Sequence, residues 1–189
     1  INPLTLLFQT GYLTIDHTEH RLRRKIYKLK IPNLEVKTAL NDQFINAYTD
    51  LVNAKLGYQE HLYGVLIHGD LDGMVTLIKR LFAAIPYRNF TNTDLADFEG
   101  YYASVMYAFF SSLNASVIPE DISLYGQADM TVKMGTHIYV MEFKVVESES
   151  INGNPALAQI KARKYAEKYR GEQGKTVHEV GLVFSKLTL

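Results

Sequence analysis

Along this chain, runs whose apolar residues recur every third or fourth position give way to runs that alternate every second, and the pattern falls into two parts. In the first part, Leu4 to Ile15 is rich in apolar and β-favouring residues, Asp16 to His20 is polar and turn-like, and Lys25 to Ile31 alternates with Tyr27, Leu29 and Ile31 on one face. A β-hairpin is expected there. Leu34 to Val52 then carries Leu40, Phe44, Ala47 and Leu51 on one helical stripe. Asp70 stands as an N-cap before a helix to Ala84 that turns Met74, Leu77, Ile78 and Leu81 inward. Pro86 to Thr93 breaks the periodicity, so a border is expected between a small α+β module, residues 1–86, and a second domain, residues 94–189.

The second part reads helix, strand, strand, helix, strand. The spacing predicts a helix over Asp94 to Leu113 and a strand over Ile122 to Val132 with a break at Gly126. A second strand follows over His137 to Val146, after the Met134-Gly135-Thr136 turn. A helix over Ala156 to Tyr169 and a strand over Val177 to Ser185 complete it. At ~100° per residue, Glu99 falls in the direction of Leu95, Tyr102, Met106, Phe110 and Leu113, and so points into the apolar side of its helix. Gln159 shares a direction with Ala156, Ala162 and Ala166, whereas Lys161, Lys164 and Lys168 lie opposite. Two helices thus each turn one polar group inward.

Side chains alternate across a strand, so Val140, Glu142, Lys144 and Val146 share one face and Tyr139, Met141, Phe143 and Val145 the other. Two charges sit on a strand that otherwise reads as sheet interior, and Asp129 interrupts the strand before it. Buried charge is costly unless paired or bound to metal. Lys144 in a buried ion pair with Glu142 or Asp129 would meet that need by fixing the sheet. The inward Glu99 and Gln159 on flanking helices favour the other reading, a site. Carboxylates beside an ammonium suit Mg²⁺ or Mn²⁺, which prefer hard oxygen ligands. Such an ion can activate water and offset charge on a phosphate.

Composition narrows the field. The 189 residues are 47% hydrophobic and 21% charged, enough for one core or two small ones. No apolar run approaches the ~18 residues of a membrane span, and no signal peptide is legible. Cysteine is absent, which removes disulfides, thiolate catalysis and Cys-ligated zinc, with a reducing cytoplasm as the expected compartment. Twenty basic and twenty acidic residues give no net charge, which is not the footprint of a protein that coats nucleic acid nonspecifically. Two basic clusters, Arg21 to Lys30 and Lys161 to Arg170, are consistent with solvated faces. The six histidines lack metal-ligand spacing. The aromatics around Glu99 read as core, with Tyr101 as an exposed candidate for base stacking. A chain that opens on Ile1 and runs straight into apolar sequence is expected to be a piece of a longer polypeptide.

Four segments follow the Glu99 helix in a telling order. They are Gly126-Gln127-Ala128-Asp129, Met141-Glu142-Phe143-Lys144-Val145, Ala156-Leu157-Ala158-Gln159-Ile160-Lys161 through Tyr165, and Val180-Gly181-Leu182-Val183-Phe184-Ser185. Together they resemble the PD-(D/E)XK nuclease superfamily, and within it the nuclease-like domain found C-terminal to AAA-ATPase-like domains in bacterial proteins. The resemblance covers about residues 94–189. Leu6 to Tyr12 and Tyr27 to Val36 resemble the tail of that ATPase-like region and its connector.

The resemblance implies an α/β fold, a restriction-endonuclease-like core of helix, mixed sheet and helix preceded by the small α+β module. It implies a metal-dependent nuclease domain that hydrolyses phosphodiester bonds, of DNA, within a larger ATPase-nuclease protein. Mg²⁺ or Mn²⁺ would be held by Asp129, Glu142 and the backbone carbonyl of Phe143, with Glu99 sharing the metal or orienting a water. Lys144 would be the catalytic lysine and Gln159 its support from the following helix. The implied partners are nucleic acid and an N-terminal ATPase-like domain, with no membrane. A Walker A pattern is absent, so these residues are not expected to hydrolyse ATP. The same fold with little or no turnover would serve as a module that binds DNA or protein.

Overall fold

A computed structural model describes residues 2–48, 55–85, 99–147 and 152–185. Two compact units result, Ile1–Phe44 and Ile45–Leu189.

In the first unit the expected strand at Leu4 to Ile15 opens as a helix, α1 (Pro3–Gln9). The Asn2 side chain accepts the Leu4 N–H at 2.9 Å and Pro3 occupies the first helical turn, so local capping outweighs β propensity. The hairpin forms a few residues later, from β1 (Thr14–Arg21) and β2 (Arg24–Lys30), paired antiparallel. Asp16 to His20 lies inside β1 rather than in a turn. The reversal falls at Leu22 and Arg23, whose φ angles are 49° and 62°. Two-residue hairpin turns of this hand usually carry Asn or Gly, which is why the sequence concealed it. The helix α2 (Leu34–Tyr48) follows, and its expected extension to Val52 lies outside the described residues.

The second unit holds a sheet of order β3-β4-β5-β6 between two helical layers. Before it come α3 (Lys55–His68) and α4 (Leu71–Ala83). The Asp70 carboxylate caps α4 by accepting the Gly73 N–H at 2.9 Å, and Met74, Leu77, Ile78 and Leu81 are buried as expected. Helix α3 adds Tyr58, Leu62 and Leu66 to the core, an i, i+4, i+8 stripe not read from the sequence. The Tyr139 hydroxyl donates to the Leu66 carbonyl at 2.6 Å and so fastens α3 to the sheet; burial pushes that hydroxyl's pKa to about 12. The expected border at residues 86–94 and the start of the Asp94 helix lie outside the described residues.

Helix α5 (Glu99–Ser112) buries Tyr102, Val105, Met106, Phe109 and Phe110. Tyr101 is buried with them, 8% exposed, and is no platform for a base. The expected strand over Ile122 to Val132 is two antiparallel strands, β3 (Ser116–Ser123) and β4 (Gly126–Met134). The break at Gly126 is a chain reversal through Leu124 and Tyr125, with Gly126 at φ 134°. Strand β5 (His137–Val146) pairs antiparallel with β4 and parallel with β6 (Thr176–Ser185).

Between β5 and β6 the chain crosses over through α6 (Pro155–Ala162). The expected helix to Tyr169 stops there, because Lys164 takes a left-handed φ of 51° and a 3-10 turn, Tyr165–Tyr169, continues instead. Buried Asp121 anchors this turn to the sheet, accepting from Thr131 at 2.6 Å, from Tyr169 at 2.7 Å and from Lys168. Burial alone would raise the Asp121 carboxyl, but these donors outweigh it and hold its pKa below the usual value.

One sheet face, with Met130, Val132, Tyr139, Met141, Phe143 and Leu182, packs in the cluster that holds the α3, α4 and α5 residues. The other face, with Ile138 and Val140, packs on Ile160, Tyr165, Ala166 and Tyr169. None of the helices among the described residues is long and apolar enough to cross a membrane.

Candidate active site

Strands β4 and β5 pair from Met134 and His137 as far as Met130 and Met141, and there the ladder ends. Asp129 is the next residue on β4. Its Oδ2 accepts the Phe143 N–H at 2.8 Å, so a side chain supplies the acceptor that a strand partner would have given. Glu142 is the next residue on β5, on the face toward α6 and only 2% exposed. Its Oε1 accepts from Gln159 Nε2 and lies 3.5 Å from Lys144 Nζ. Its Oε2 is buried and has no hydrogen-bond partner. Lys144 Nζ also donates to Glu99 Oε2 at 3.2 Å.

Glu99 reaches this cluster from the rim. As the first residue of α5 its side chain is 42% exposed, so it stands at the mouth of the site instead of pointing into the apolar side of the helix. An acid in a first helical turn is favoured by the helix dipole. Phe143 gives its N–H to Asp129 and its ring to the core on the α5 side.

Gln159 is delivered by a close helix–sheet approach. Asn154 caps α6 by accepting the Leu157 N–H at 2.8 Å and donates from Nδ2 to the Gly181 carbonyl at 2.8 Å. Gly181 lies beside Glu142 in the β5–β6 register. A Cβ there would come within 2.3 Å of the Leu157 nitrogen, so only glycine lets α6 lie this close to β6. Gln159 Nε2 is also 3.4 Å from the Tyr165 hydroxyl. Sequence reasoning assigns no role to Gly181, Asn154 or Tyr165. A glycine inside an apolar strand run and an Asn-Pro pair ahead of a helix are the available signals.

The charges do not balance. Burial raises the Asp129 carboxyl, with Glu99 and Glu120 adding to the rise against the Phe143 N–H and Lys144. Burial likewise raises Glu142, and the Asp129 charge adds to it. For Lys144, burial pulls down, but the Glu99 hydrogen bond and the charges of Glu142 and Asp129 prevail and hold the ammonium's pKa above its usual value. Among the described residues the Lys144 ammonium therefore serves the three carboxylates of Glu99, Asp129 and Glu142 in a half-buried cluster. Among the described residues no three acids or histidines converge as a preformed ligand cage. The orphaned Glu142 Oε2, the raised acids and an all-oxygen donor set nonetheless fit a hard divalent cation, of the kind held by one or two carboxylates with other positions filled by waters and phosphate.

Residues 97–189 match the family model of the PD-(D/E)XK nuclease superfamily. Over 186 residues, 98% of its length, the chain is 39% identical to a protein of Azotobacter chroococcum mcd 1 described as an uncharacterized protein in the vnfD 5' region. The chain spans 36% of that relative's length. No solved structure matches the chain significantly.

Proposed function

From the match of residues 97–189 to the PD-(D/E)XK nuclease superfamily, we propose that this part of the chain is a divalent-metal-dependent nuclease domain that hydrolyses phosphodiester bonds of DNA. The observation that carries the reading is the Glu142 carboxylate, 2% exposed with one oxygen unpartnered, set beside Asp129 and Lys144 where two strands part.

In this reading Asp129, Glu142 and the Phe143 carbonyl hold Mg²⁺ or Mn²⁺, with Glu99 at the rim. The ion supplies Lewis acidity that offsets phosphate charge and eases deprotonation of the attacking water. The Phe143 N–H keeps Asp129 from swinging away, and Gln159 does the same for Glu142. Lys144, gripped by Glu99 and Glu142, presents its ammonium to the phosphate oxygens or to the attacking water. The domain would act within a longer protein with an N-terminal ATPase-like region, a role consistent with the greater length of the Azotobacter relative.

A second reading has an observation of its own. The Lys144 ammonium is already engaged by two carboxylates, as in a structural ion pair, which suits a module that binds DNA or protein with little turnover. Incubation of plasmid and oligonucleotide DNA with the protein in Mg²⁺, in Mn²⁺ and in EDTA decides between them. Cutting confined to the metal samples supports the nuclease. Gel retardation without cutting under any of these conditions supports the module.

A further inference from the structure

The ribbon of β1 and β2 ends in four cations and no acid within six residues, His20 to Lys25. Antiparallel pairing sets Arg21 directly across from Arg24. Like charges placed opposite each other on a sheet destabilise it. Among the described residues only Arg21 has an acid at hand, Glu19 at 2.8 Å, while Arg23, Arg24 and Lys25 are exposed. At the tip, Leu22 is 97% exposed and Arg23 holds its left-handed turn. The ribbon thus concentrates positive charge at one end at a cost to its own pairing, although the chain as a whole is neutral. A polyanion would offset that cost.

We infer that the end of this ribbon, Arg21 to Lys25, is a nucleic-acid backbone-binding element outside the region that matches the nuclease family. The choice of nucleic acid as the polyanion rests on the nuclease reading. A two-stranded β-ribbon is of a size that the DNA major groove admits. Arg21, Arg23, Arg24 and Lys25 then lie against phosphates on either side while the Leu22 side chain at the tip enters the groove. Binding of this kind sets position and affinity and carries no sequence information. The element anchors the substrate; it takes no part in the chemistry.

The test uses the full chain and a fluorescein-labelled DNA duplex, with anisotropy read in EDTA from about 50 to 200 mM salt. Replacing Arg21, Arg23 and Arg24 together by Gln should weaken binding more than about tenfold and flatten the slope of log K against log salt by about 0.9 for each phosphate no longer neutralised. Arg23→Asn suits the left-handed turn and leaves the fold intact, so it should flatten the slope by the amount due to about one phosphate without lowering the melting temperature. Unchanged slope and affinity in both variants, or loss of binding to anionic lipid vesicles with DNA binding untouched, would overturn the inference. Cleavage of saturating DNA in Mg²⁺ by the wild type reports separately on the nuclease reading. A wild type that cuts while both variants bind normally leaves that reading standing and removes only the ribbon.

Discussion

The Asp129 carboxylate holds the Phe143 N–H at 2.8 Å at the point where β4 and β5 cease to pair. One side chain therefore closes the end of a ladder and faces the pocket that the ladder opens. Its two roles can be separated. Asp129→Asn keeps an acceptor oxygen and removes a repelled charge, so in EDTA it should melt at or above wild type. Asp129→Ala leaves a buried N–H without its acceptor and should cost about 1–3 kcal/mol by urea denaturation. Both should lose cleavage and most of the metal-induced stabilisation. An Asn variant as unstable as the Ala one would show that the fold needs the charge, as a partner of Lys144.

Lys144 is not a ligand for a hard cation, since an ammonium only donates. Lys144→Ala should therefore retain the rise in melting temperature on adding Mg²⁺ while cleavage falls by about 10² to 10³ or more. Cleavage at the wild-type rate would remove Lys144 from the mechanism.

Raised pKa values at Asp129 and Glu142 fix the sign of a pH effect. Both acids bind protons more tightly folded than unfolded, so the fold without metal loses stability as pH rises from the ordinary carboxylate range through their elevated values. A divalent cation replaces those protons, and its stabilisation should grow over the same window. At about ten times its dissociation constant the ion should add roughly 1.4 kcal/mol, or about 3 to 5 °C. Melting curves in Mg²⁺ and in EDTA from about pH 4 to 8 read it directly. A shift that is the same at every pH would place the ion elsewhere. Asp121 has the opposite sign: its depressed pKa gives stability above the unfolded value that is lost as pH falls through the folded one.

Asp129, Glu142, Lys144 and Gln159 are legible in the sequence because their polarity breaks otherwise regular apolar patterns, and the structure gathers them with Glu99 at one strand opening. Strand β5 and helix α4 are legible because their periods are clean. What escapes depends on packing between residues distant in sequence or on unusual turn residues. The Leu22-Arg23 reversal lacks glycine, α3 is apolar around much of its circumference, and a helical wheel that turns Glu99 inward ignores its place at the helix end. Gly181 explains itself only once α6 is seen 2.3 Å from where a Cβ would sit.

That approach makes Gly181→Ala a sensitive probe. The obstructing atoms include backbone, at Leu157, so α6 must move as a body and Gln159 with it. A loss of about 1–3 kcal/mol is expected by denaturation. Metal affinity should fall as well, because Glu142 loses the donor that orients it. Wild-type affinity in a destabilised variant would show that Gln159 does not set the position of Glu142.

Trimming tests the border proposed at residues 86–94. Phe82 of α4 packs on Tyr102 at 5.4 Å and on Phe184 at 4.9 Å between ring centroids. A piece spanning residues 45–189 should melt cooperatively. One that starts at residue 92 strips the cover from those rings and from Tyr139, and should be far less stable. Equal melting temperatures for the two pieces would mean that the part beyond the border folds without α3 and α4.

Because β6 runs parallel to β5, the glycine that admits α6 is made well after Glu142 and Lys144. During synthesis the ribosome releases both charged residues while the seat for the Gln159 helix is still inside it. Nascent chain can build the antiparallel part of the sheet early, since those strands are neighbours in sequence. The surroundings of Glu142 are therefore complete only once the crossover has closed.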